Sequence, residues 1–245
     1  MENNTDFKIN YMNEFKSLFS HVEKMRNRYL NILSAHKIFD TISILSAPNI
    51  VGKEKAGENM KLFNDYKYFF ITTKESCSFY VLIEIAKFFD NSLSSLTLNK
   101  IINFTESNLK KLSKNDFQIY HKNRGILPEL FDKYQEFSRL DLENLKNNIK
   151  SKDKIINKLK KYRDQYLAHD DIKKIKVKIS IGEVKQLMEI IEDFIELFYL
   201  RLDFSSNSYK DYVEEPEREI KSLIKILKEN EKARLQKISK LYLQN

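Results

Sequence analysis

The chain has 245 residues, 42% of them hydrophobic, with 4 glycines, 3 prolines, 1 cysteine and a formal net charge of +8. This is enough apolar material for a sizeable core, while glycine and proline fall far below their usual shares of about 7% and 5%, removing the punctuation that hairpins, sandwiches and phosphate-binding loops need. The single Cys77 excludes an internal disulfide, no cysteine and histidine cluster has zinc spacing, and the N-terminus MENNTDFKIN lacks the basic-then-apolar run of a secretion signal.

The most apolar stretches, FYVLIEIAKFF and FIELFYL, are too short or too charged to span a membrane, so a reduced, cytoplasmic protein is expected with Cys77 as a small apolar filler. In chain order, Met12, Phe15, Phe19, Val22, Met25, Tyr29 and Leu33 recur every three or four positions, and the pattern continues to Ile42. This predicts an amphipathic helix from about Phe7 to Leu45, with a break near Ser34 left open. SAPNIVGKEKAGENM, holding Pro48, Gly52 and Gly57, reads as a long loop. A second long helix is expected from about Met60 to Phe89, with Phe63, Tyr66, Phe70, Cys77, Tyr80, Val81, Ile85 and Phe88 available for burial. Being apolar on most sides in its middle, it is expected at the centre of a bundle.

Ser95 or Thr97 caps a short helix running through Phe104 to Leu112, and another starts near Asp116 and ends around Arg124–Gly125. LPELFDKYQEFSRLDLENLKNNI and KDKIINKLKKYRDQYLAHDD read as two nearly continuous helices, the second with Ile155, Leu159, Tyr162 and Tyr166 as its apolar stripe. IKKIKVKIS alternates, and an extended piece and a connecting loop both fit. Ser180 with Glu183 forms a capping box before Val184, Leu187, Ile190, Ile191, Phe194, Leu197 and Phe198. Pro216 suits the first turn of a last helix, Glu217 to Leu243, for which packing, oligomerisation and free projection stay open. The expected architecture is an all-α bundle of long antiparallel helices over 1–205 with a C-terminal helical extension over 206–245.

Charge is concentrated. Between Lys146 and Lys178 twelve basic residues face four acids, an excess equal to that of the whole chain. Such a segment attracts polyanions without sequence preference, which favours RNA over membrane as a partner; a solvated lysine-rich helix face is the plainer account. Lys158, Lys160, Lys161, Lys173 and Lys174 are the candidate RNA contacts.

Within this segment stands Arg163-Asp164-Gln165-Tyr166-Leu167-Ala168-His169, an arginine followed by a polar residue and then, after five intervening residues, a histidine near a helix end. His21, His36 and His121 have no arginine at a comparable distance and read as structural or exposed. The motif, the YLAHDD ending and the upstream ESCSFYVLIEIAKFFDNSLSSLTLNKIINF resemble the HEPN superfamily (higher eukaryotes and prokaryotes nucleotide-binding), in particular its abortive-infection AbiU-type branch. The resemblance implies an all-helical bundle, often dimeric, that cuts RNA without a metal or other cofactor and acts as a toxin in phage defence or a toxin–antitoxin pair. Some such toxins carry a tyrosine two places after the histidine, where a partner enzyme modifies it. Here that place is Asp171, which puts this route of neutralisation in doubt and leaves the type of any antitoxin open.

The residues suit the implied chemistry. Cleavage needs a base for the 2′-hydroxyl proton, an acid for the leaving oxygen and positive charge on the phosphate. His169, with an ordinary pKa of about 6.5, can serve the proton transfers, and the planar fork of Arg163 can hold phosphate oxygens. Asp164 is the third candidate, orienting either Arg163 or His169. Six residues place Arg163 and His169 about 120° apart around a helix, and one histidine per chain must fill two roles, so a homodimer that apposes two copies is expected. The neighbouring Asp170 and Asp171 repel phosphate unless Lys173, Lys174 or Arg163 neutralises them. The competing account makes RDQYLAHDD a polar helix edge and the protein a non-catalytic helical module binding nucleic acid or a protein partner.

Overall fold

The computed structural model describes the backbone of residues 3–90, 95–122, 128–164 and 177–242, with side chains except at 3–13, 128, 130, 241 and 242. All regular structure among the described residues is helical. The chain divides into two compact units, Met1–Tyr29 with Leu82–Ser208, and Leu30–Val81 with Tyr209–Asn245. Helices α1 (Asn3–Leu45) and α4 (Lys67–Phe88) each contribute residues to both.

The first unit is organised by α10 (Ile181–Leu202), which buries Val184, Leu187, Met188, Ile190, Ile191, Phe194, Ile195, Phe198, Tyr199 and Leu202. Its start follows from sequence: the Ser180 hydroxyl accepts from the Glu183 amide while the Glu183 carboxylate accepts from the Ser180 amide, satisfying two donors left over at the helix end. Along α1, Phe19 meets Tyr199 and Tyr29 donates to Glu192 at 2.9 Å, so α1 and α10 run antiparallel. Helix α8 (Arg139–Ser151) is also antiparallel to α10, with Arg201 on Asp141 and Asn148 on Asp193. One residue later α9 (Asp153–Tyr162) continues the same course, Lys152 meeting Gln186 and Lys158 meeting Glu183. The remaining helices are α5 (Leu98–Ser107), capped by Thr97, α6 (Lys114–His121) and α7 (Pro128–Lys133). His121 at the end of α6 is buried, and its Nε2–H donates to the Leu202 carbonyl at 2.7 Å.

The second unit departs from the expected layout. The stretch expected as a loop is helical: α2 (Pro48–Val51) and α3 (Lys53–Asp65), separated by Gly52 at φ 87. Burial of Ala56, Asn59, Leu62 and Phe63 outweighs the cost of about 1 kcal/mol for a mid-helix Gly57, and Asn59 donates to the Leu45 carbonyl at the end of α1. The expected helix from Met60 to Phe89 is instead interrupted at Tyr66, and α4 is not central over its first part. Phe70 joins a core with Phe63, Leu62, Ile42, Leu45, Ile220 and Ile224, but Tyr66 and Tyr80, expected inside, are exposed.

The last helix, α11 (Lys210–Tyr242), starts earlier than expected and carries Pro216 in its interior. A proline there cannot bond the carbonyl four residues back, that of Tyr212. The Ser34 hydroxyl supplies the missing donor at 3.2 Å, from a helix that runs through Ser34 without a break. Farther along, Lys228 pairs with Glu58, and α11 lies beside α3. Ser34→Ala should therefore cost about 0.5–1 kcal/mol in urea unfolding, and much less in a Pro216→Ala background, where residue 216 regains its own N–H donor.

Candidate active site and basic groove

Helix α9 sorts its side chains by face. Ile156 and Leu159 are buried. Arg163, seven residues after Ile156, lies on the same side, so its side chain leaves the helix along the inward stripe and keeps only 21% exposure. This differs from the expected stripe, since Ile155 and Tyr162 are only half-buried. Past Tyr162 the backbone at Arg163 and Asp164 continues as a π-helical turn.

Three nitrogens of the Arg163 guanidinium meet carboxylates. Nε donates to Asp164 Oδ1 at 2.8 Å and Nη2 lies 2.7 Å from the same oxygen, while Nη1 donates to Asp90 Oδ2 at 3.2 Å. Burial opposes the charge, but hydrogen bonds and attraction from Asp164, then from Asp90, raise the Arg163 pKa above its ordinary value. Of the two roles open to Asp164, the geometry shows contact with Arg163. Asp164 is 57% exposed and Asp90 only 27%, so Asp90 is the more sheltered anchor.

Asp90 follows α4 by two residues, and the end of that helix is held firmly. Phe88 and Phe89 are buried, and Arg28 donates from Nε to Glu84 at 3.2 Å and from Nη1 to the Leu96 carbonyl at 3.4 Å, with its guanidinium 4.6 Å above the Phe88 ring. Sequence reading missed Asp90 because 73 positions separate it from Arg163 and no local spacing links them. Its one signal is an acid directly after a buried aromatic pair.

Lys154, Lys158 and Lys161 line the opposite side of α9, roughly half a turn from Arg163. With Asn157, Val177 and Lys178 they border a groove of about 630 Å³. Lys158 is committed to Glu183, its Nζ lying 2.6 and 2.7 Å from the two carboxylate oxygens. The Lys158 hydrogen bond, and after it the Ser180 amide, pull the Glu183 pKa down to about 2. Lys154, Lys161 and Lys178 make no ion pair among the described residues. Lys160 turns toward the Arg163 side and does not line the groove. His169, Lys173 and Lys174, with Asp170 and Asp171, lie outside the described residues. Cys77 is half-buried and desolvation raises its thiol pKa, in keeping with a filler rather than a nucleophile. Among the described residues no helix is long and apolar enough to cross a membrane.

A family model described as AbiU2, of the HEPN type, matches residues 15–223. No curated protein and no solved structure matches the chain.

A double-mutant cycle of Arg163→Ala with Asp90→Ala should give a stability coupling of about 1 kcal/mol, between exposed and buried ion pairs, read from denaturant unfolding. Because the folded-state pKa of Glu183 is depressed to about 2, its stabilising contribution is present above the ordinary carboxylate value of about 4.3 and is lost as pH falls toward 2. Lys158→Met should flatten that part of the stability profile between pH 4.5 and 2, measured as Tm against pH.

Proposed function

The chain belongs to the HEPN AbiU2 family, and on that premise we propose that it is a metal-independent endoribonuclease of phage defence, a toxin of the abortive-infection or toxin–antitoxin kind acting in the cytoplasm. The observation that carries the reading is the fixing of Arg163 at the end of α9, six residues before His169, by carboxylates from two separate parts of the chain. An arginine held in this way loses little further freedom when a phosphate arrives, and its charge is secured by the raised pKa.

In the proposed reaction His169 takes the proton of the 2′-hydroxyl, whose oxygen attacks the adjacent phosphorus. The developing charge on the phosphate oxygens is met by Arg163. The 5′-oxygen leaves with a proton from a second histidine, supplied by a second copy of the chain, and a 2′,3′-cyclic phosphate remains. For the phosphate to reach Arg163 it exchanges with Asp164, the more exposed of the two carboxylates, while Asp90 keeps the guanidinium plane in place.

A second reading is favoured by the groove. Three lysines without ion pairs among the described residues stand on the side of α9 away from Arg163, which suits a module that binds an RNA backbone and does not cut it. The readings separate in one experiment, in which purified protein is incubated with RNA and a chelator and the product ends are examined. The nuclease reading expects cyclic-phosphate ends from the wild type, their loss in His169→Ala and Arg163→Ala by at least about 100-fold, and unchanged helical content. Cleavage that survives His169→Ala overturns it. Binding without cleavage, with the slope of log affinity against log salt reduced by about 0.7 for each of Lys154→Gln, Lys161→Gln and Lys178→Gln, supports the binding module.

A further inference from the structure

Both edges of the Arg163 guanidinium are engaged by carboxylates, and the two carboxylates are unlike. Asp90 takes Nη1 at 3.2 Å. Asp164 takes Nε at 2.8 Å and Nη2 at 2.7 Å through a single oxygen, Oδ1. A guanidinium grips a phosphate with two parallel bonds along one edge, and with Nη1 held by Asp90 the edge left for a phosphate is the Nε–Nη2 pair. The next residue in the chain already fills it. Charge works in the same direction, since one positive group faces two negative ones and the closed site repels anions.

Asp164 has a second cation within reach. At 57% exposure its side chain can turn, whereas Asp90, at 27%, follows directly on the buried Phe88 and Phe89. Lys160 stands four residues before Asp164 on α9 and makes no ion pair among the described residues. At 100° per residue it projects about 60° from Arg163 and about 40° from Asp164, and so lies between them one turn earlier. Side chains lean toward the start of a helix, and the wider π-helical turn at Arg163 and Asp164 brings positions four apart closer to alignment. Asp164 therefore leans back over Lys160. A lysine that precedes its acid by four residues is the weaker order of such a pair, so the Arg163 contact prevails until another anion competes for it.

We propose that Asp164 is a gate on the anion site at Arg163: closed, its carboxylate fills the Nε–Nη2 edge in place of a phosphate, and open, it rests on Lys160 while a phosphate takes that edge. This rests on the reading of Arg163 as the phosphate-binding group of a nuclease. It gives Asp164 a sign opposite to that of a residue that only orients the arginine. Removing a gate strengthens anion binding, whereas removing an orienting partner weakens it. Lys160 changes role as well, from an RNA contact to the group that holds the displaced carboxylate, and Asp90 keeps the guanidinium plane fixed in both states.

The test reads occupancy at Arg163 directly, in the full chain, from the Arg163 Nε–H resonance of isotope-labelled protein titrated with inorganic phosphate to about 50 mM. Loss of the resonance in Arg163→Lys assigns it. Asp164→Asn is expected to bind phosphate at least about 10-fold more tightly than the wild type, and Lys160→Met about 3-fold more weakly. In the Asp164→Asn background Lys160→Met is expected to lose most of its effect, because no gate remains to be held, whereas a lysine that touched the phosphate itself would cost the same in both. Should Asp164→Asn fold poorly by circular dichroism, Asp164→Ser carries the same expectation. With RNA as substrate and a chelator present, Asp164→Asn is expected to lower KM about 10-fold and to change kcat by less than about 2-fold. RNA left uncut by every protein removes the nuclease reading and leaves the phosphate titration to decide the gate. The gate is overturned by a folded Asp164 variant that binds phosphate no better than the wild type, by an equal cost of Lys160→Met in both backgrounds, or by the absence of any phosphate shift at Arg163 in wild type and variant alike.

Discussion

The first unit depends on one constraint, the burial of ten side chains along α10. A single helix can hide so many residues only if neighbours close on it from several directions. Here α1 and the α8–α9 pair do so, all antiparallel to it. Burial of this kind is worth roughly 1.5–3 kcal/mol for each large apolar side chain, far more than any ion pair at the surface, so it sets where the polar groups must stand. The Ser180 cap starts α10, and the Glu183 carboxylate that completes the cap also receives Lys158, tying the register of α9 to that of α10.

Once α9 is docked, its chemistry divides by face. The inward side offers Ile156, Leu159 and then Arg163, a charged group continuing an apolar stripe. A guanidinium in that position requires compensation, and it receives two carboxylates, one from its own neighbour and one from the far end of α4. The outward side offers lysines, and the groove they border reaches to Val177 and Lys178. The anchored guanidinium and the lysine-lined groove therefore stand on different sides of one short helix. Phosphate contacts that position a strand and the arginine that would stabilise a transition state need not be the same residues.

The second unit illustrates what happens when local irregularities are absorbed by packing. Pro216 within α11 would leave a carbonyl without its donor, and Ser34 on another helix fills the gap. Gly57 is tolerated inside α3 because its neighbours are buried. Helix α4, by contrast, is apolar around most of its circumference while the unit covers only one side of it. Composition placed that helix at the centre; the packing kept Phe70 and Phe88 inside and turned Tyr68, Phe69, Phe79 and Tyr80 outward.

Local signals in the sequence determined the all-helical class, the Ser180 cap, the long amphipathic α1 and the arginine-to-histidine motif, and narrowed the cap of α5 to Ser95 or Thr97, of which the structure uses Thr97. Caps, helical periodicity and short motifs act over a few residues, and no distant partner is needed to read them. The loop expected at 46–60 and the late start of α11 failed at a glycine or proline whose local cost was met by burial or by a hydroxyl from elsewhere, whereas the unbroken helix over 60–89 failed at Tyr66, where neither residue stands. Only the tertiary structure decided that Asp90 would hold Arg163 and that Lys158 would be spent on Glu183. These are facts about which helices meet and at what rotation, and a one-dimensional order leaves both undetermined until apolar burial selects them.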